Sequence, residues 1–262
     1  VALLGMRISF ELAAALGWAM VGVVIGGVIA TIFFGLAIAR LFGHGPRFAF
    51  LSAGSVAICG ASAAMAISAI LPPDERTEER LVFTVVGVTR LSTIAMIAFP
   101  IFATAMGVDE QLAGIFIGAT IHDVAQVVGA GFSISQETGD VATVVKLIRV
   151  AMLAPVILVA TLVIRQIGID QGQGDRPPIM PGFVISFVIL VGLNSLGVFP
   201  AIVTEIATEL SRWALLTAIA AVGLKTSLKD VVDVGLPAIA LLVVETVFIA
   251  VLVLGALFWL GA

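Results

Sequence analysis

The chain has 262 residues, 61% of them hydrophobic and only 11% charged, with a formal net charge of -4. A soluble domain carries about 45–50% apolar and about 25% charged residues, so this composition excludes a soluble globular protein and predicts an all-α membrane protein. The small negative charge, with no basic block, excludes a nucleic-acid partner, and the one cysteine, Cys59, excludes an internal disulfide.

The apolar residues come in uncharged runs of about 20, the length that spans a hydrocarbon core as helix. The first run, near 13–39, ends at the polar patch from Arg40 to Arg47. Seven more follow, near 48–71, 81–106, 111–133, 141–164, 182–202, 209–232 and 235–260, so about eight transmembrane segments are predicted in one membrane domain over 1–262. The connections are short. The most charged is PPDERTEER at 72–80, and the longest, Arg165 to Pro181, is polar and rich in Gly and Pro. If every segment crosses, Arg40, Arg47, Arg165, Arg176, Lys225 and Lys229 fall on one side. Arg7, Arg76, Arg80, Lys146, Arg149 and Arg212 fall on the other, and six against six leaves the positive-inside rule silent. No signal peptide is visible, and a chain starting at Val1 reads as processed or truncated.

Two runs are poor ordinary spans. In 48–71, Ser52, Gly54, Ser55, Gly60, Ser62 and Ser68 interrupt the apolar pattern, and a helix could break near Cys59-Gly60. In 209–232, Gly223 precedes Lys225, Thr226 and Ser227, which suggests a second break. Interrupted segments at corresponding places in two halves point to a secondary transporter's binding site, because half-helix N-termini present free N–H groups that favour anions. Close helix packing through small residues is the competing explanation.

The stretch GATIHDVAQVVGAG at 118–131 sets His122, Asp123 and Gln126 in an otherwise apolar run. Read as one helix, it puts Gly118, His122, Ala125, Gln126 and Gly129 on one small, polar face that leaves space for a ligand, with Asp123 about 100° round. Ionisable groups in a membrane usually face a cavity or a partner, and the competing explanation is a buried polar network that only pins helices together. Arg90 is read as a further buried cation that either pairs with Asp123 or Glu245 or supplies countercharge to an anion. Glu245 itself is read as a partner of Arg90, an oligomer contact, or a residue nearer the segment edge than it looks.

The stretches GSVAICGASA (54–63), GATIHDVAQVVGAG (118–131), VKLIRV (145–150) and AVGLKTSL (221–228) resemble, in order and spacing, the signature stretches of the YeiH-type sulfate exporter family of bacterial inner-membrane proteins. The resemblance implies ten segments in two inverted repeats of five, similar to the bile-acid-symporter fold. On that resemblance the first repeat is expected to lack its opening pair of segments here, with 1–106 the remainder of the first repeat and 107–262 the second. It makes 48–71 and 209–232 equivalent, as two broken helices that cross in a mobile core.

Residues and resemblance together predict a secondary active, elevator-type transporter of a small anion such as sulfate or a sulfonate, multi-pass in the inner membrane and coupled to H⁺ or Na⁺. Its expected substrate site comprises Ser55, Cys59, Gly60, Ala61, Ser62, His122, Gln126, Lys225, Thr226 and Ser227. His122 and Asp123 are the expected ion-coupling pair and Arg90 the countercharge. No catalytic residue, metal or cofactor is expected, and the partners are the anion, the coupling ion, the lipid bilayer and a second copy in a homodimer. The rival readings are a structural or sensory membrane subunit and, more remotely, an intramembrane hydrolase using Cys59, His122 and Asp123.

Overall fold

A computed structural model describes residues 16–166, 182–200 and 235–260, with isolated positions at 3, 6 and between 202 and 217. Among the described residues every regular element is helical. The helices are α1 (Trp18–Ile38), α2 (Pro46–Ala57), α3 (Ala61–Ser68), α4 (Thr77–Met106), α5 (Glu110–Thr120), α6 (Val124–Phe132), α7 (Gln136–Ala151), α8 (Leu153–Gln166), α9 (Gly182–Ser195) and α10 (Gly235–Trp259). Among the described residues, four helical stretches are long and apolar enough to cross a bilayer: Trp18–Phe42, Thr77–Met106, Gln136–Gln166 and Gly235–Trp259. The third contains a joint at Met152, between α7 and α8. Pro155 has no N–H to donate to Ala151, so the backbone turns there, with the Met152 amide bonded to both Ile148 and Arg149 carbonyls.

Between the long helices lie four half-length ones. Segment 48–71 is not one helix: α2 ends at Ala57 and α3 begins at Ala61. Gly60, at φ 62° and ψ -123°, takes a conformation that side chains resist. Segment 111–133 is interrupted too, between Thr120 and Val124, where Ile121 and Asp123 are extended. A helix of 12 residues is only about 18 Å long and one of eight about 12 Å, so no half spans a hydrocarbon core of about 30 Å.

Packing brings these halves together. Both α5 and α6 lie on α7, α3 and α6 touch α4, and α10 runs beside α1, α2, α4 and α5. The approach of α5 to α7 is close because Gly114 and Gly118 lack side chains. A Cβ at Gly118 would overlap the Ala142 carbonyl and come within 2.8 Å of Val145 Cβ, and one at Gly114 within 2.8 Å of Val141 Cβ. Large apolar side chains on the outer faces, among them Phe33, Ile97, Ile101, Val251 and Trp259, stay exposed, as lipid-facing helices require.

Outside the apolar layer, the 72–80 connection is tied to the start of α2. Asp74 accepts from Arg80 at 2.7 Å and lies 3.6 Å from Arg47, while Arg76 pairs with Glu79 at 2.6 Å. A cavity of about 290 Å³ opens beside them, lined by His44, Arg47, Phe48, Arg76 and Arg80. It lies at the loops and not at the interruptions.

Candidate functional site

A helix that stops inside an apolar layer strands its last carbonyl oxygens where no water can reach them. At α2 two are closed by the backbone: Gly54 accepts from Ile58 at 3.1 Å and Ser55 from Gly60 at 2.8 Å. The remainder are taken by two side chains of α7. Arg149 donates from Nη2 to Val56 at 2.7 Å and from Nε to Ala57 at 2.9 Å, and Lys146 donates from Nζ to Ile58 at 2.8 Å. The same two residues serve α5. Lys146 reaches the Ile121 carbonyl at 3.0 Å, and Arg149 Nη1 reaches Ile121 at 3.0 Å and Gly118 at 3.3 Å.

Lys146 and Arg149 are 0% and 1% exposed, and among the described residues no carboxylate lies in ion-pair contact with either. Their charge is met by the negative ends of two half-helices, each equivalent to roughly half an electron. If every segment crosses, the sequence places both at one membrane surface. The structure corrects that: their three-residue spacing sets them on one helical face, which points inward.

The two interruptions touch. A Cβ on Gly60 would stand 3.4 Å from His122 Cβ and 3.6 Å from Val88 Cγ2. The half-helix N-termini beyond them differ. At α6, Asp123 is the N-cap, its Oδ1 accepting from the amides of Ala125 at 2.8 Å and Gln126 at 3.2 Å, while its own amide donates to Ser92 Oγ at 3.0 Å. At α3 no side chain caps the helix. The Ala63 amide faces the Cys59 sulfur, and Ala61 and Ser62 present their amides without a helical partner, at 8% and 7% exposure.

The predicted single polar face of 118–131 does not form. The helix breaks inside that stretch, so His122 and Gln126 lie on opposite sides of a cap. His122 is fully buried, with Nε2 3.0 Å from Thr246 Oγ1. Thr246 Oγ1 is also 2.8 Å from the Leu242 carbonyl, so both Thr246 contacts are satisfied by the tautomer that donates from Nε2; among the described residues Nδ1 has no partner at hydrogen-bond geometry. Gln126 donates from Nε2 to Thr93 Oγ1 at 2.9 Å, and its Oε1 is buried without a partner. The space expected beside Gly118 is filled by α7.

The other expected site residues fall as follows. Ser55 is buried in α2 and donates to Leu51 at 2.5 Å. Cys59 is 2% exposed, and among the described residues no hydrogen bond joins it to His122, whose Nε2 is engaged by Thr246. The hydrolase pair is therefore not assembled. Arg90 is corrected from a buried cation to an exposed one, with no ion pair among the described residues. It does not meet Glu245, which is buried and paired with Ser52. Lys225, Thr226 and Ser227, with the break expected at Gly223–Thr226, lie outside the described residues. No three His, Cys, Asp or Glu side chains among the described residues converge as a metal site would need.

Apolar helices, two interrupted segments and buried cations holding the broken ends define a helical membrane protein with a polar centre inside its apolar layer. The chain belongs to the UPF0324 membrane protein family, whose sequence profile, described as Conserved hypothetical protein 698, matches residues 1–256. This is the YeiH-type family that the ICGASA and IHDVAQVV stretches resemble. The chain is 59% identical to the UPF0324 membrane protein TauZ of Paracoccus denitrificans, over all of this chain and 78% of that protein. It is 55% identical to a UPF0324 membrane protein of Rhizobium meliloti, over all of this chain and 76% of that one. A third, from Chlorobaculum tepidum, is 52% identical over 100% of this chain and 73% of its own length. No solved structure matches the chain.

Proposed function

We propose that the protein is a multi-pass secondary transporter of a small anion, sulfate or a sulfonate, in the bacterial inner membrane. The observation that carries this reading is the pair Lys146 and Arg149: two buried cations, with no carboxylate in ion-pair contact among the described residues, fixed behind two touching helix interruptions. Such an arrangement keeps the interruptions open permanently and leaves positive potential at the α3 N-terminus, where the Ala61 and Ser62 amides are free. An oxyanion there accepts from those amides and from the Ser62 hydroxyl. The Gln126 amide and Asp123 stand at the neighbouring cap.

In this reading Asp123 is already the anion of the α6 N-terminus, so substrate belongs to α3. Lys225, Thr226 and Ser227 join the site by the family resemblance, as does the division into repeats at 1–106 and 107–262 with elevator-type movement. Arg90, exposed on α4, is countercharge for an anion approaching that face.

The test is uptake of labelled sulfate and of a labelled alkylsulfonate into proteoliposomes, comparing wild type with Ser62→Val and Gln126→Ala and checking thermal stability in parallel. The reading expects transport by wild type and at least a tenfold loss in Ser62→Val at unchanged stability, the equivalent of about 1.4 kcal/mol. Variants that alter stability while leaving anion uptake intact would support a structural subunit instead.

A further inference from the structure

Glu245 lies in the middle of α10, 0% exposed, in a helix whose other residues within a turn are apolar except Thr246. One carboxyl oxygen, Oε1, is 3.0 Å from Ser52 Oγ, and the other, Oε2, is buried with no hydrogen bond among the described residues. Gly35 of α1 lies against the same carboxyl group, so close that a Cβ on it would come within 2.5 Å of Oε1. Among the described residues, no charged side chain from α1, α2, α4, α5 or the Ala39–Phe42 turn acts on it, Arg40 of that turn being exposed. His122 is engaged by Thr246, one residue along α10. An ionised carboxylate with a single neutral hydrogen bond and no cation has no compensation for leaving water.

The proton count points the same way. Ser52 Oγ is within bonding distance of two acceptors, the Ala49 carbonyl at 3.2 Å and Glu245 Oε1 at 3.0 Å, but it has one proton. Both contacts are full two-centre hydrogen bonds when Glu245 supplies the second proton: Ser52 donates to Ala49, and the carboxylic acid donates to Ser52; with an ionised Glu245 the one Ser52 proton is shared between two acceptors. A sodium ion would need several oxygen ligands in place of the one hydroxyl present.

We propose that Glu245 is a proton-binding site, neutral in this conformation and able to lose its proton to water only when α10 separates from α1 and α2. Its position makes that loss consequential. Through Glu245, α10 holds Ser52 on the half-helix before the first interruption, and through Thr246 it holds His122 at the second. Releasing the proton leaves a charge that the closed packing cannot keep, so deprotonation and the opening of α10 are one event. This site is separate from the His122 and Asp123 pair expected from sequence.

The experiment is infrared difference spectroscopy of the full chain in lipid nanodiscs, wild type against Glu245→Gln and Ser52→Ala. It needs no substrate, so its outcome is independent of the transport reading. The expected result is a protonated-carboxyl stretch at neutral pH that is lost in Glu245→Gln and shifted in Ser52→Ala, where the hydrogen bond to the acid is gone. Should Glu245→Gln fail to fold, alkaline titration of the wild-type band and its shift in Ser52→Ala carry the same test. Absence of the band at neutral pH, or a band untouched by both substitutions, overturns the proposal. A sodium-dependent stabilisation that disappears in Glu245→Gln would overturn it in favour of a cation site.

Discussion

Lys146 and Arg149, one turn apart on α7, share the Ile121 carbonyl, each at 3.0 Å, and then diverge, Lys146 to Ile58 and Arg149 to Ala57 and Val56. Two helix ends from distant parts of the chain are thereby fixed to one helix face. Backbone polarity that a membrane interior would otherwise forbid is satisfied by side chains, not water.

The division of labour predicts unequal costs. Lys146→Met orphans only the Ile58 carbonyl, because Arg149 still serves Ile121, and should cost about 1–3 kcal/mol. Arg149→Met strands Val56, Ala57 and Gly118 together and should cost about 3–5 kcal/mol, the range for removing a buried charged partner. Arg149→Lys should not rescue it, since one ammonium cannot reproduce a planar fork. Thermal unfolding in detergent, with expression level, checks the order; equal losses for the two methionine variants would contradict it.

Gly60→Ala should destabilise by about 1–3 kcal/mol, because a side chain at positive φ with ψ near -123° is strained. Its Cβ must also fit 3.4 Å from His122 Cβ. A variant as stable as wild type would show that the 58–60 link is not held in this conformation.

How much of this was legible beforehand follows from what each residue signals. Gly60 among small and hydroxylated neighbours announces a helix that stops near Ala57, because glycine is the residue such a turn requires. The interruption at 121–123 was hidden by its own helical periodicity, although Asp123 three residues before Gln126 is an N-cap signal inside the run. Lys146 and Arg149 were misplaced because charge near a segment edge is ordinarily a surface feature. Their i,i+3 spacing within an apolar run was the available clue. Arg90 was expected inside because it interrupts an apolar run, yet which face of α4 is covered depends on neighbours that no local pattern names.

Cys59 packs at the first interruption with its sulfur beside the Ala63 amide. Cys59→Ala and Cys59→Ser both fit that volume and should keep substantial transport in proteoliposomes. Complete loss in both, with normal folding, would return the thiol to a chemical role.

The 72–80 connection should carry an acid-sensitive part of stability. Partial burial pushes Asp74 up, but the Thr77 hydroxyl, Arg80, the Arg76 amide and Arg47 outweigh it and hold the carboxyl below its ordinary value. A carboxyl depressed in the folded state contributes stability above its unfolded pKa and loses it as pH falls through the folded one. Asp74→Asn should therefore lower the melting temperature at neutral pH and flatten its fall in acid; an unchanged acid limb would count against the contact.

The most direct test of the central claim is the position of a bound oxyanion, found by anomalous scattering from crystals of the full chain grown with selenate in place of sulfate. The expected result is a selenium peak within hydrogen-bond reach of the Ala61 and Ser62 amides, beside the interruption that Lys146 and Arg149 hold open. A peak only in the cavity lined by His44, Arg47, Arg76 and Arg80, with nothing at the α3 N-terminus, would contradict it.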